Sequence, residues 1–207
     1  LSVLPVNDAP LLTDIPDQSI DEDTVFTYTL TATDVDDLEL LYSATVDGNA
    51  SVDVTGSTLT ITPDLDFNGD ILVDVSVSDG VLTDTNSFTL SVLPVNDAPV
   101  LTDIPDQSID EDTVFTYTLT ATDVDSDETI YSVVIIEGNA TYDLNDSQLS
   151  VYPDLNFNGN IQISIAVSDG ELADSDTFTI TVESVNDAPF FVTDGLDNAI
   201  EDLFYQF

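Results

Sequence analysis

Residues 21–36 read D-E-D-T-V-F-T-Y-T-L-T-A-T-D-V-D, and residues 110–125 repeat them without a change. The middle of this stretch alternates. Phe26, Tyr28, Leu30 and Ala32 fall on one parity and Thr27, Thr29, Thr31 and Thr33 on the other. Period two is the signature of a strand with one face on a core and one in water. The stretch therefore predicts a β-strand bracketed by carboxylates, present twice.

Working outward, the identity widens. Residues 1–36 and 90–125 match everywhere except Leu11 against Val100. V-N-D-A-P stands at 6–10, 95–99 and 185–189. P-D-L-D-F-N-G-D at 63–70 returns as P-D-L-N-F-N-G-N at 153–160, and V-S-D-G at 77–80 returns at 167–170. One extra residue lies between Ser132 and Gly138. Self-similarity at a fixed period marks a tandem array. The expected organisation is 1–8 as the end of a preceding repeat, 9–97 and 98–187 as two full repeats, and 188–207 as the start of a truncated third.

Two further alternating rows, Ile71-Val73-Val75-Val77 and Phe88-Leu90-Val92, supply core faces. Shorter strands are expected at about 40–46, 50–54 and 57–62, with a first strand before Asp21. Asn68-Gly69 and Asn158-Gly159 are turn signals. No segment has helical apolar spacing. Seven strands in some 90 residues predict an all-β chain of tandem seven-stranded Greek-key, immunoglobulin-like sandwiches joined end to end as a rod.

Composition narrows the function. The chain has 42 Asp plus Glu and no Lys, Arg, His, Cys, Met or Trp, for a net charge of −42, yet it is 42% hydrophobic. A disordered acidic tail would lack the apolar residues. Nothing in the chain can neutralise phosphates, so nucleic acid is excluded as a partner, and an anionic membrane surface would repel it. No apolar run is long enough to span a bilayer, and no secretory leader is expected in the stretch. Disulfides and Lys–Asn cross-links are unavailable. The remaining cations that could offset the repulsion are divalent metal and salt.

Carboxylates at strand ends are the candidates for metal. Asp34 and Asp36 close one strand as D-V-D, and Asp123 and Asp125 do so in the second copy. Alternate residues of an extended segment point the same way, so each pair is expected to aim two carboxylates at one spot. Many hard oxygens suit Ca²⁺, which takes six to eight of them. No EF-hand loop fits: counted from Asp123, loop position 6 is Glu128 and position 12 is Val134. Any site must be assembled from distant segments.

The order I-D-E-D, A-T-D-V-D, V-S-D-G, V-N-D-A-P resembles the cadherin repeat and its bacterial cadherin-like relatives, over both full copies and both ragged ends. That resemblance implies calcium between consecutive repeats. Carried over, the complete junction would use Glu22, Asp66, Asn96 and Asp97 with Asp123, Asp125 and Asp169. The junction at the start would keep Asn7, Asp8, Asp34, Asp36 and Asp79, and the one at the end Glu111, Asn186 and Asp187. Asp21 and Asp23 flank Glu22 and offer substitutes. The family linker carries an acidic residue where Pro94 and Ser184 stand, and an Asn after N-D where Ala98 stands. Asp66 becomes Asn156 in the second copy. Fewer ligands imply fewer ions.

The function expected is a calcium-stiffened extracellular or cell-surface adhesion module, a stalk or fibre segment whose partners are neighbouring repeats. Head-to-tail self-association into a filament is a sharper version. A carbohydrate-binding module, with glycans or a cell-surface ligand as partner and Tyr42, Tyr131, Tyr142 and Tyr152 as stacking platforms, is the alternative. No enzyme is expected, since only carboxylates and hydroxyls remain for chemistry and a sandwich this small fills its interior with core.

Overall fold

The computed structural model describes residues 6–37, 39–126 and 128–187. The ragged-end expectations for 1–5 and 188–207 fall outside them. The chain divides into two compact units, Leu1–Asp97 and Ala98–Phe207. No α-helix occurs among the described residues.

Unit 1 contains β1 (Leu11–Leu12), β2 (Gln18–Asp21), β3 (Phe26–Thr29), β4 (Ala32–Thr33), β5 (Leu41–Val46), β6 (Ala50–Thr55), β7 (Thr58–Pro63), β8 (Gly69–Ser78) and β9 (Thr83–Leu93). A four-stranded sheet runs β2-β9-β8-β5, and a three-stranded sheet runs β3-β7-β6. Between them lie Phe26, Leu30, Leu59, Ile61, Phe88 and the Ile71–Val77 row, all buried. The alternation read from the sequence is thus the inward face of each strand.

Nine segments replace the seven expected strands because the first two are each broken. Pro16 has no N–H to donate, and the chain there leaves one partner for another. Before it, β1 pairs antiparallel with β4; after it, β2 pairs parallel with β9. The Phe26–Thr33 strand is interrupted at Leu30, whose N–H donates to Ser57 O at 2.8 Å. Taken as halves of one strand, the pairs restore a seven-stranded Greek-key sandwich.

Asn68-Gly69 does not form a hairpin turn. β7 and β8 belong to different sheets, and Gly69 already opens β8. The reversal is made earlier: Phe67 N–H donates to Asp64 O at 3.2 Å, and Asp66 takes a left-handed φ of 55°.

Unit 2 repeats the plan with β10 (Val100–Leu101), β11 (Gln107–Asp110), β12 (Phe115–Thr118), β13 (Ala121–Thr122), β14 (Ile130–Glu137), β15 (Ala140–Asn145), β16 (Gln148–Pro153), β17 (Gly159–Ser168) and β18 (Ala173–Glu183). Its sheets run β11-β18-β17-β14 and β12-β16-β15. The inserted residue is absorbed as a bulge between Ile135 and Glu137 in β14.

Candidate metal centres

The parallel β2–β9 ladder builds the first centre. Its last pair is Asp21 with Leu93, so the next residue, Glu22, lies beside the departing chain. Glu22 N–H donates to Leu93 O at 2.9 Å. The side chain turns inward, 3% exposed, and Oε1 accepts the Val95 N–H at 2.6 Å. Its other oxygen, Oε2, is buried with no hydrogen-bond partner. Such an orphaned acceptor is costly unless a cation meets it.

Thr24 Oγ1 caps Asp21 O and tightens the turn, which throws Asp23 into a left-handed φ of 57°. Asp23 Oδ1 then accepts the Asp66 N–H at 3.1 Å. Oxygens of Asp23, Asp66 and Asp97 all lie within 4.8 Å of one another, and Glu22 and Asp97 approach to within the same limit. Asn96 Nδ2 donates to Asp97 O at 3.2 Å. Unit 1 therefore gathers Glu22, Asp66 and Asp97, together with Asp23, at one end. The donors are oxygens only, as a hard divalent cation prefers.

Unit 2 rebuilds this end with the same bonds. Glu111 is 8% exposed; its N–H donates to Glu183 O at 2.8 Å and its Oε1 accepts Val185 N–H at 2.6 Å. Asp112 Oδ1 accepts Asn156 N–H at 2.8 Å, and Asn186 Nδ2 donates to Asp187 O at 3.1 Å. Asn156 here supplies a neutral amide where unit 1 has the carboxylate of Asp66.

The opposite end of each unit carries the D-x-D segment, and it is not extended. The strand stops at Thr33, and Asp34 Oδ1 folds the chain back by accepting Asp36 N–H at 2.7 Å and Asp37 N–H at 2.9 Å. The expected cause of convergence, strand alternation, is therefore replaced by a side-chain-capped turn. Asp34 Oδ2 is left buried without a partner. Asp36 Oδ2 accepts Asp8 N–H at 2.9 Å. Asp79 Oδ1 accepts Val81 and Leu82 N–H, each at 2.7 Å, and its Oδ2 accepts Asn7 Nδ2 at 2.7 Å. The Leu82 N–H, then the Val81 N–H and the Asn7 amide, hold the Asp79 carboxyl below the ordinary aspartate range. Among the described residues Asp34, Asp36 and Asp79 do not form a three-carboxylate group of the kind seen at the other end.

In unit 2, Asp123 Oδ1 accepts Asp125 and Ser126 N–H, each at 2.9 Å, and its Oδ2 is again buried and unpartnered. Asp169 Oδ1 accepts Glu171 and Leu172 N–H, each at 2.7 Å. One oxygen of Glu22, Asp34 and Asp123 serves the local fold while the other is left over.

The sequence reading passed over a second class of carboxylate. Asp84 Oδ2 accepts Leu12 N–H at 2.8 Å and Asp17 Oδ1 accepts Thr89 N–H at 2.8 Å, tying the first segment to β9. Asp174 and Asp106 do the same in unit 2. Recurrence in both copies at matching positions was the available signal. The tyrosines do not form one platform. Tyr42 and Tyr131 pack against the cores. Tyr142 lies opposite buried Val151 and Tyr152 opposite exposed Thr141, so they point to opposite faces of one sheet.

A family model described as Cadherin-like domain matches residues 6–93 and 95–183. No curated protein matches the chain. Among solved structures, the Drosophila N-cadherin EC1-4 fragment is 20% identical over 87% of this chain and 50% of its own, with a TM-score of 0.53. Human protocadherin-24 EC1-2 is 17% identical over 87% of this chain and 100% of its own, at 0.48. An endo-fucoidan hydrolase of glycoside hydrolase family 107 is 17% identical over 86% of this chain and only 29% of its own, at 0.37.

Proposed function

The chain belongs to the cadherin-like domain family, and from that premise we propose that it is an extracellular adhesion or stalk module whose consecutive repeats are stiffened by Ca²⁺ at their junctions. The observation that carries the proposal is Glu22. Its Oε1 grips the departing chain at Val95, while its buried Oε2 lacks a partner and lies close to Asp97. A doubly charged ion satisfies that oxygen and relieves the repulsion among Glu22, Asp23, Asp66 and Asp97.

Asp97 is followed directly by Ala98, the first residue of unit 2. A cation held by Asp97 therefore sits on the connecting peptide. Asp123, Asp125 and Asp169 would complete its shell from the second repeat, with Asn96 beside them. Asn7, Asp8, Asp34, Asp36 and Asp79 would serve a preceding repeat, and Glu111, Asn186 and Asp187 a following one. With Asn156 in place of Asp66, that last centre carries one carboxylate fewer and holds calcium more weakly.

When bound, calcium supplies a fixed crosslink of oxygen ligands and no chemistry. Extracellular modules bind calcium at about 10⁻⁴–10⁻³ M, a range filled outside cells and empty in cytosol. The test is small-angle scattering in calcium and in chelator. A longer, less flexible particle in calcium is expected, and identical profiles in the two buffers would overturn the proposal.

A further inference from the structure

The two repeats are identical through most of their acidic loops yet differ on one sheet surface. In unit 1 the outward parity of β8 carries Asp70, Leu72 and Asp74, and both aspartates are exposed. Each accepts a bond from the next strand, Asp70 from Ser91 Oγ at 2.7 Å and Asp74 from Ser87 Oγ at 2.6 Å. At the same register in unit 2 stand Asn160, Gln162 and Ser164. The neighbouring edge strand changes with them. Thr45, opposite Asp74, is replaced by Val134, opposite Ser164. Val134 is 60% exposed, and Ile130, 70% exposed, keeps the apolar edge position that Leu41 holds in unit 1. The third strand presents Ser175, Thr177 and Thr179.

The outward positions within 130–134 of β14, 160–168 of β17 and 175–181 of β18 therefore hold no carboxylate, in a chain with 42 Asp plus Glu. Among the described residues acidic groups ring this face: Glu137 stands opposite Gln162, Asp106 accepts the Thr179 N–H at 2.7 Å from beside β18, and Asp110 and Glu183 pair at the end of β11 and β18.

We infer that the β14-β17-β18 face of the second repeat is a self-association surface that pairs with the same face of another copy. Charge selects the occupant. Two chains of −42 repel wherever carboxylates meet, and this face lets them touch without placing charge against charge. A basic partner would be drawn to the acidic surfaces instead. Replacing Asp by Ser and Asn also turns acceptor-only groups into groups that donate and accept, so the face complements itself about a two-fold axis. Unit 1, keeping Asp70 and Asp74, is excluded from such pairing. Three strands spaced ~4.8 Å apart over five outward positions cover about 400 Å² per partner. That is near half the area of a standard interface, so a single contact is weak and strengthens only when many repeats engage together.

The test is sedimentation equilibrium of the 207-residue chain in calcium and about 1 M sodium chloride, where the Debye length is about 3 Å. The wild type is expected to show a concentration-dependent dimer. The double variant Ser164→Asp with Asn160→Asp restores the residues unit 1 carries at the same register. It should weaken association at least tenfold with an unchanged melting temperature. Thr27→Asp, on the other sheet of unit 1, should leave association as it was. A wild type that stays monomeric near millimolar concentration, or a dimer indifferent to the double variant, overturns the inference. So does binding of a neutral glycan that is lost in the double variant while the chain remains monomeric.

Discussion

Replacing Glu22 by Gln separates the two duties of its side chain. The amide keeps an oxygen for the Val95 N–H, now bonded at 2.6 Å, but removes the charge and puts a donor where the buried, unpartnered oxygen stood. Losing charge assistance costs the Val95 bond about 1 kcal/mol. Removing a buried, uncompensated carboxylate oxygen returns a similar amount. In chelator the variant should therefore melt within a few degrees of the wild type. In calcium the two diverge. With a dissociation constant of about 10⁻⁴–10⁻³ M and about 10 mM calcium, binding stabilises the wild type by about 1.4–2.7 kcal/mol. For a domain of this size that is roughly 6–20 °C in melting temperature. Glu22→Gln should retain less than half of that shift. Scanning calorimetry of both proteins in both buffers measures it. A variant that keeps the full calcium shift, or a wild type that shows none, refutes the reasoning that assigns Glu22 Oε2 to the ion.

Two other outcomes follow from the geometry. Gly138 sits at φ 97°, and a Cβ there would meet Asn160 O at 2.6 Å and Ile161 Cα at 2.8 Å, both backbone. Gly138→Ala should destabilise the second repeat by about 2 kcal/mol or more, read as a drop of its own thermal transition, whereas Gly48→Ala meets no atom within 4 Å and should cost less. The lowered Asp79 carboxyl sets a pH limit: its contribution is present above the unfolded aspartate range and lost as pH falls through the lower folded value. Carboxyl NMR titration in chelator should find Asp79 protonating below the ordinary aspartate range, and Asn7→Ala should raise its midpoint.

The inward faces were open to reading because burial on a pleated strand leaves a period of two in the sequence. Phe26, the Ile71–Val77 row and Phe88–Val92 needed nothing else. What alternation cannot report is which sheet a segment joins. Around Pro16 the apolar residues Leu12, Ile15 and Ile20 stand three and five apart, so no alternation marks where the chain changes partners, and only the pairing distinguishes β1 from β2. The turn near Asn68-Gly69 misled for a related reason, since that dipeptide favours hairpins and these strands lie in opposite sheets. The carboxylates were visible by type and position, but not their division of labour. That Asp34 would use one oxygen to cap its own turn, or that Asp23 would meet Asp66 through a left-handed turn, depends on backbone dihedrals that a list of residues does not carry.

The parallel pairing of β2 with β9 has a mechanical consequence. These are the strands by which the chain enters and leaves the four-stranded sheet, and because they run in the same direction, a pull on the two ends of the repeat slides one along the other. The Gln18–Asp21 ladder is then loaded as a set, each bond bearing the force at the same moment, instead of opening one after another like a zipper. The Glu22 bonds to Leu93 and Val95 extend that set by two at the end of the ladder. A repeat tied in this way resists tension along its own length, the direction in which a tether is pulled.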